Sequence, residues 1–244
     1  MVILLAAVWF INKDINYNKN KIIYLLNKYH KKVDLIVFGE AFLQGFDSLT
    51  WNYESDKSIA LEQNSEVINE IKENAKLFNT AVSFGYIEKA NGEIYSSQIT
   101  IDNNGNIINN YRRVSIGWKE KGVFEHYKEG KTFQKFTLNN LSFSIGLCGD
   151  LWYDENVKKI SDLKIDIVLW PVYVDFNYIE WNNTIKYEYA SQANNIGKNV
   201  LLVNSYCLDS IDDNMARGGA VMFYEGQIIK EVEAGSCQVF LITI

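Results

Sequence analysis

Leu141-Ser142-Phe143-Ser144-Ile145-Gly146-Leu147-Cys148-Gly149-Asp150-Leu151-Trp152 reads as a buried strand that ends abruptly on a cysteine followed by glycine. A thiol placed there stands at the rim of a sheet with little side-chain bulk around it, which is how a nucleophile is presented to substrate. A buried and inert thiol fits the same segment, so the surrounding chain has to decide between them.

Working outward, apolar runs of strand length alternate with helical periodicity. Residues 2–10 read as a strand, and 16–30 as a helix with Ile22, Ile23, Leu25 and Leu26 at helical spacing. Residues 33–39 are apolar apart from Asp34, as in a strand covered on both faces, and 59–78 are helical with Ile68, Ile71, Ala75 and Phe78 on one stripe. Strands over 80–88 and 93–101 flank Asn91-Gly92, a hairpin signal, and the chain turns again at Asn103-Asn104-Gly105-Asn106. Downstream, 154–163 and 181–195 read as helices, and 165–170, 199–205 and 237–244 as strands. Pro171, the only proline, is expected to stop its strand, and Glu225-Gly226 tips a hairpin over 219–229. With no Pro-rich or Gly/Ser-rich linker and no internal repeat, residues 1–244 read as a single α/β domain.

Composition removes several function classes. Hydrophobic residues make up 48% of the 244 and charged residues 22%, enough for a large core and incompatible with global disorder. The net charge of −6, with no basic stripe, argues against a nucleic-acid surface or anionic lipid as partner. Three cysteines without CxxC spacing suit a reducing, cytoplasmic setting and give no disulfide or zinc framework; Cys207 and Cys237 read as core. His30 and His126, the only histidines, stand too far apart to read as a metal pair. The apolar first ten residues lack a basic leader and are too short to span a bilayer, so they read as a strand and no membrane partner is expected. Neither a GxxxxGK[ST] loop nor ligand spacing occurs, so no cofactor and no metal are expected.

Three strand-end segments remain. Asp34-Leu35-Ile36-Val37-Phe38-Gly39-Glu40 ends a buried strand on a carboxylate, although Glu40 alone also suits a solvated terminus. Tyr111-Arg112-Arg113-Val114-Ser115 leads into Trp118-Lys119-Glu120-Lys121, a basic loop of a kind that is usually exposed. The third is Cys148. Ends of neighbouring strands converge on the crevice where α/β sheets bind ligands.

In this order, the segments resemble the nitrilase superfamily of carbon–nitrogen hydrolases. The family's glutamate segment is similar to residues 34–46, with Glu40-x-Phe42-x-x-Gly45-Phe46, and its cysteine segment to Cys148-Gly149-Asp150-Leu151-Trp152. Its Tyr-Arg-Lys is similar to Tyr111-Arg112-Arg113, and a second glutamate ahead of a glycine corresponds to Glu125 before Gly130. Trp170-Pro171, the helix from Trp181 and the 219–231 hairpin extend the likeness nearly end to end.

The resemblance implies a four-layer α-β-β-α sandwich, two packed mixed sheets flanked by helices, commonly assembled as a homodimer or larger homo-oligomer. It implies a cysteine-thioester hydrolase that cleaves a small amide-type substrate and releases ammonia or an amine. Cys148 would be the nucleophile, Glu40 the general base and Glu125 a positioning carboxylate; Gly149, Trp152 and Tyr173 would serve the oxyanion or the substrate. Gly149 stands where the nitrile-specific branch usually has tryptophan, which leans toward amides. One position departs from the pattern: Arg113 occupies the catalytic lysine's place and cannot give up a proton near neutral pH. Either Arg113 acts electrostatically, or Lys119 or Lys121 folds in, or the chain is a catalytically impaired member acting as a binding or regulatory module.

Overall fold

The computed structural model of the chain describes residues 1–123, 125–212 and 215–244. Its first strands are β1 (Val2–Ala7), β2 (Trp9–Phe10), β3 (Leu35–Phe38), β4 (Ala81–Ala90), β5 (Glu93–Ile101), β6 (Ile107–Arg112) and β7 (Phe136–Leu138). Then follow β8 (Leu141–Ile145), β9 (Ile167–Val172), β10 (Asn199–Asn204), β11 (Tyr206–Cys207), β12 (Ala220–Tyr224), β13 (Gln227–Val232) and β14 (Gln238–Thr243). The helices are α1 (Ile15–Tyr29), α2 (Tyr53–Asp56), α3 (Glu66–Leu77), α4 (Asp154–Asp162), α5 (Tyr178–Glu180) and α6 (Lys186–Ile196).

Two six-stranded sheets run in the orders β14-β1-β3-β4-β5-β6 and β13-β12-β10-β9-β8-β7. Each has a parallel centre, β1-β3-β4 in one and β8-β9-β10 in the other, with antiparallel strands outside. The period-2 alternation of β1 explains the layering. Ile3, Leu5 and Ala7 join a core with Leu169, Leu201 and Val203 of the second sheet. Leu4 and Ala6 instead join Ile22, Leu25 and Leu26 of α1 and Ile68, Ile71 and Ala75 of α3. Val157 and Ile160 of α4 and Ala190 and Ala193 of α6 complete the second sheet's cover. The result is the expected α-β-β-α sandwich of two mixed sheets.

Three element boundaries differ from the sequence reading. The helix assigned to 59–78 begins at Glu66, because the Ser65 side chain caps it by accepting from Ile68 N at 3.4 Å, and Leu61 bridges to Glu88 instead. Residues 2–10 divide at Val8, and the short β2 leaves to pair with β11. Pro171 does not stop its strand: β9 runs through it to Val172. The reason is local. β8 pairs only as far as Ile145↔Leu169, so at 171 the side facing β8 is already an edge and a missing N–H breaks no ladder bond. The Glu225-Gly226 tip is as expected, both residues having positive φ, 47° and 73°.

Candidate active site

Glu40 leaves β3 through a tight turn. Ala41 has φ 49°, and the turn lies so close on β4 that a Cβ on Gly85 would fall 2.2 Å from Ala41 N. The Glu40 side chain is buried; Oε1 accepts from Ser96 Oγ at 2.8 Å and from Arg113 Nη1 at 3.0 Å. Oε2 lies 3.3 Å from the same Nη1 and takes no other hydrogen bond among the described residues, so it is the oxygen free to accept a proton.

Arg113 follows β6 and is also buried, 6% exposed. Its Nε donates to Ser115 Oγ at 2.9 Å. Burial works against its charge, but Glu40, Cys148 and Asp150 hold its pKa above the ordinary arginine value. Lys119 does not reach the cleft: its Nζ donates to Tyr127 O at 2.7 Å and pairs with Glu129 Oε1 at 2.5 Å. Lys121 is exposed. Of the three cations offered by the sequence, the fold brings Arg113 to Glu40.

Cys148 opens the turn after β8 with φ 42°, a left-handed conformation uncommon outside glycine and characteristic of strained functional positions. Its Sγ lies 3.7 Å from Tyr173 O, and its own carbonyl accepts from Trp170 Nε1 at 2.9 Å. Burial first, and then the Glu40 charge, push the thiol up to about 12 against the lowering influence of Arg113.

Asp150 ties together more than its own turn. Its Oδ2 accepts from Leu147 N at 3.0 Å and Tyr111 Oη at 2.6 Å; its Oδ1 accepts from Val114 N at 3.1 Å and Ser115 N at 2.7 Å. One buried carboxylate therefore staples the cysteine turn to the arginine loop. Asp150→Ala is expected to lower unfolding free energy in urea by about 3 kcal/mol or more, since four donors, three of them buried, lose their acceptor.

Glu40, Arg113, Cys148 and Tyr173 line one cleft of ≈ 560 Å³, together with Phe46, Trp118 and Met215. Asp47, Asp175 and Asp212 line it too. Tyr173 Oη donates to Asp47, whose carboxyl is raised above the usual range by burial first and by Asp209 and Asp175 next. Gly149 lies beside the guanidinium of Arg113. The structure does not bring Glu125 or Trp152 into the cleft lining: the Glu125 side chain is 90% exposed, and Trp152 packs edge-on against Tyr189 at 4.9 Å. Sequence reasoning missed Ser96, Ser115 and the rim aspartates, and no local pattern marks them. Among the described residues no three His, Cys, Asp or Glu side chains are grouped to hold a metal, and no helix is long and apolar enough to cross a membrane.

The sequence profile of carbon-nitrogen hydrolases matches residues 7–200. This chain belongs to that family. A curated nitrilase from Meyerozyma guilliermondii is 28% identical over 146 residues, covering 57% of this chain and 45% of the nitrilase. The chain thus matches less than half the length of that relative. Among solved structures, a mutant amidase from Nesterenkonia sp. AN1, with acrylamide added at its active-site cysteine, superposes with TM-score 0.78 at 13% identity, covering 100% of this chain and 93% of that one. A CN-hydrolase superfamily protein from Xanthomonas campestris with an arsenic adduct in its active site gives TM-score 0.78 at 17% identity, covering 100% and 90%. At those identities the likeness concerns the fold.

Proposed function

We propose that this family member hydrolyses small amide-type substrates through a Cys148 thioester. One observation carries the reading: Glu40, Arg113 and Cys148, from three separate strand ends, line a single cleft. Cys148 Sγ attacks the carbonyl carbon while its proton passes to Glu40. The tetrahedral oxyanion is met by Arg113 and the Gly149 N–H. Collapse breaks the C–N bond, Glu40 returns the proton to the nitrogen, and ammonia or an amine leaves. Water then attacks the thioester, Glu40 takes its proton and passes it to the departing sulfur, and the acid is released. The arginine supports turnover because the missing lysine's positive charge is supplied beside the base, already paired with Glu40.

A thiol pushed up to about 12 keeps its proton at neutral pH until Glu40 removes it during attack. Alkylation of the substrate-free protein by 2-iodoethanol is therefore expected to quicken about tenfold per pH unit between pH 7 and 9.5, since only the thiolate reacts. A plateau with a midpoint below pH 8 would contradict this.

The cleft volume suits a small ligand, and its three rim aspartates favour neutral or cationic substrates over anionic ones. The deciding experiment is ammonia release from a panel of small amides, N-carbamyl compounds and nitriles, with hydroxylamine present in parallel. Amides should yield ammonia and, with hydroxylamine, a hydroxamate. Silence across the panel would favour the non-catalytic binding module.

A further inference from the structure

We propose that the bare Cα of Gly149 positions Arg113: the missing side chain at 149 is what allows an arginine at 113 to serve as the cation of this cleft. The proposal rests on the hydrolase reading above. It starts from the division of labour among the guanidinium nitrogens. Nε is spent on Ser115 Oγ at 2.9 Å and Nη1 on Glu40 at 3.0 and 3.3 Å. Nη2 has no protein acceptor among the described residues. It lies against the Cα of Gly149, the residue after the nucleophile, where a Cβ would come within 2.6 Å of it. Nη2 is thus the nitrogen left over for the substrate's oxyanion, and it occupies the volume that any other residue's side chain at 149 would need.

Backbone strain is not the reason for glycine here. Gly149 is not among the glycines with positive φ, and the next atoms a Cβ would meet, Arg113 Cζ at 3.7 Å and Ser115 Oγ at 3.8 Å, are at ordinary contact distance. The whole clash falls on Nη2. Nor can the guanidinium move freely aside. Ser115 is held by Asp150 at its backbone N–H, and Glu40 by Ser96, so a shift of Nη2 pulls on both anchors. A lysine at 113 has no second terminal nitrogen and would leave that volume empty. Positions 113 and 149 therefore form one coupled choice: arginine with glycine, or a smaller cation with a side chain.

The coupling is tested with four proteins: wild type, Gly149→Ala, Arg113→Lys and the double variant. Each is assayed for kcat and KM on the best amide of the panel, and for thermal unfolding without substrate. Gly149→Ala should lower kcat about 100-fold with KM changed little, because a displaced donor is lost mainly in the transition state. In the Arg113→Lys background the same substitution should cost less than about 3-fold, since the clashing atom is gone. Its effect on Tm should shrink in the same way, a readout that needs no turnover. A failed hydrolase reading would leave all four proteins inactive while the Tm coupling persists. Equal effects of Gly149→Ala on kcat and Tm in both backgrounds, or none in wild type, would overturn the proposal.

Discussion

Cys148→Ala is expected to lower kcat by about 10⁴-fold or more on any amide that the wild-type protein hydrolyses, because among the described residues no second thiol lines the cleft to form the acyl intermediate. The fold should survive. Among the described residues Sγ makes a single long hydrogen bond, 3.7 Å to Tyr173 O, and the backbone carbonyl that binds Trp170 Nε1 is unchanged by the substitution. Urea unfolding should therefore shift by less than about 1 kcal/mol. The φ of 42° adds a control. Cys148→Gly should be just as inactive yet stabler than Cys148→Ala by about 1 kcal/mol, since glycine relieves the left-handed strain. Residual turnover within tenfold of wild type in either variant would remove the nucleophile assignment.

Glu40→Gln is expected to lower kcat about 10³-fold through loss of the base. Unlike the cysteine variants, it should also destabilise the protein. Arg113 is buried, and Glu40 is the carboxylate to which it is bonded; an amide in that place can accept a hydrogen bond but cannot balance the charge. Breaking a buried pair from one side costs about 3–5 kcal/mol. Stopped-assay kinetics together with urea unfolding check both effects. A variant that loses activity at unchanged stability would mean that the Glu40–Arg113 pair is not closed as described; one that loses stability alone would show that Glu40 is structural.

How much of this was legible in the sequence follows from how local each signal is. Glu40 and Cys148 stood out because each ends a short apolar run, and the order of the segments carried the family resemblance. The elements were legible through the apolar runs of strands such as β1 and the stripe of α3, whereas the layering was implied only by the family resemblance. The start of α3 and the continuation through Pro171 were not, because one depends on which of several polar residues caps the helix and the other on where β8 leaves the sheet. The site's supports were least legible. Ser96 reaches Glu40 across 56 positions, and Asp150 reaches Ser115 across 35. Such cross-ties are made by the closing of the fold, and no periodicity records them. Loop residues fared similarly: Glu125, expected as a positioning carboxylate, has a 90% exposed side chain, and the irregular segment that holds it carries no periodicity to show which way it faces.

The most direct measurement is peptide mass mapping of the wild-type protein, acid-quenched during turnover of a slow amide. The peptide containing Cys148 is expected to gain the mass of the substrate's acyl group, and hydroxylamine to remove it. Steady ammonia release with no adduct at Cys148, or with an adduct on another residue, would contradict the Cys148 thioester.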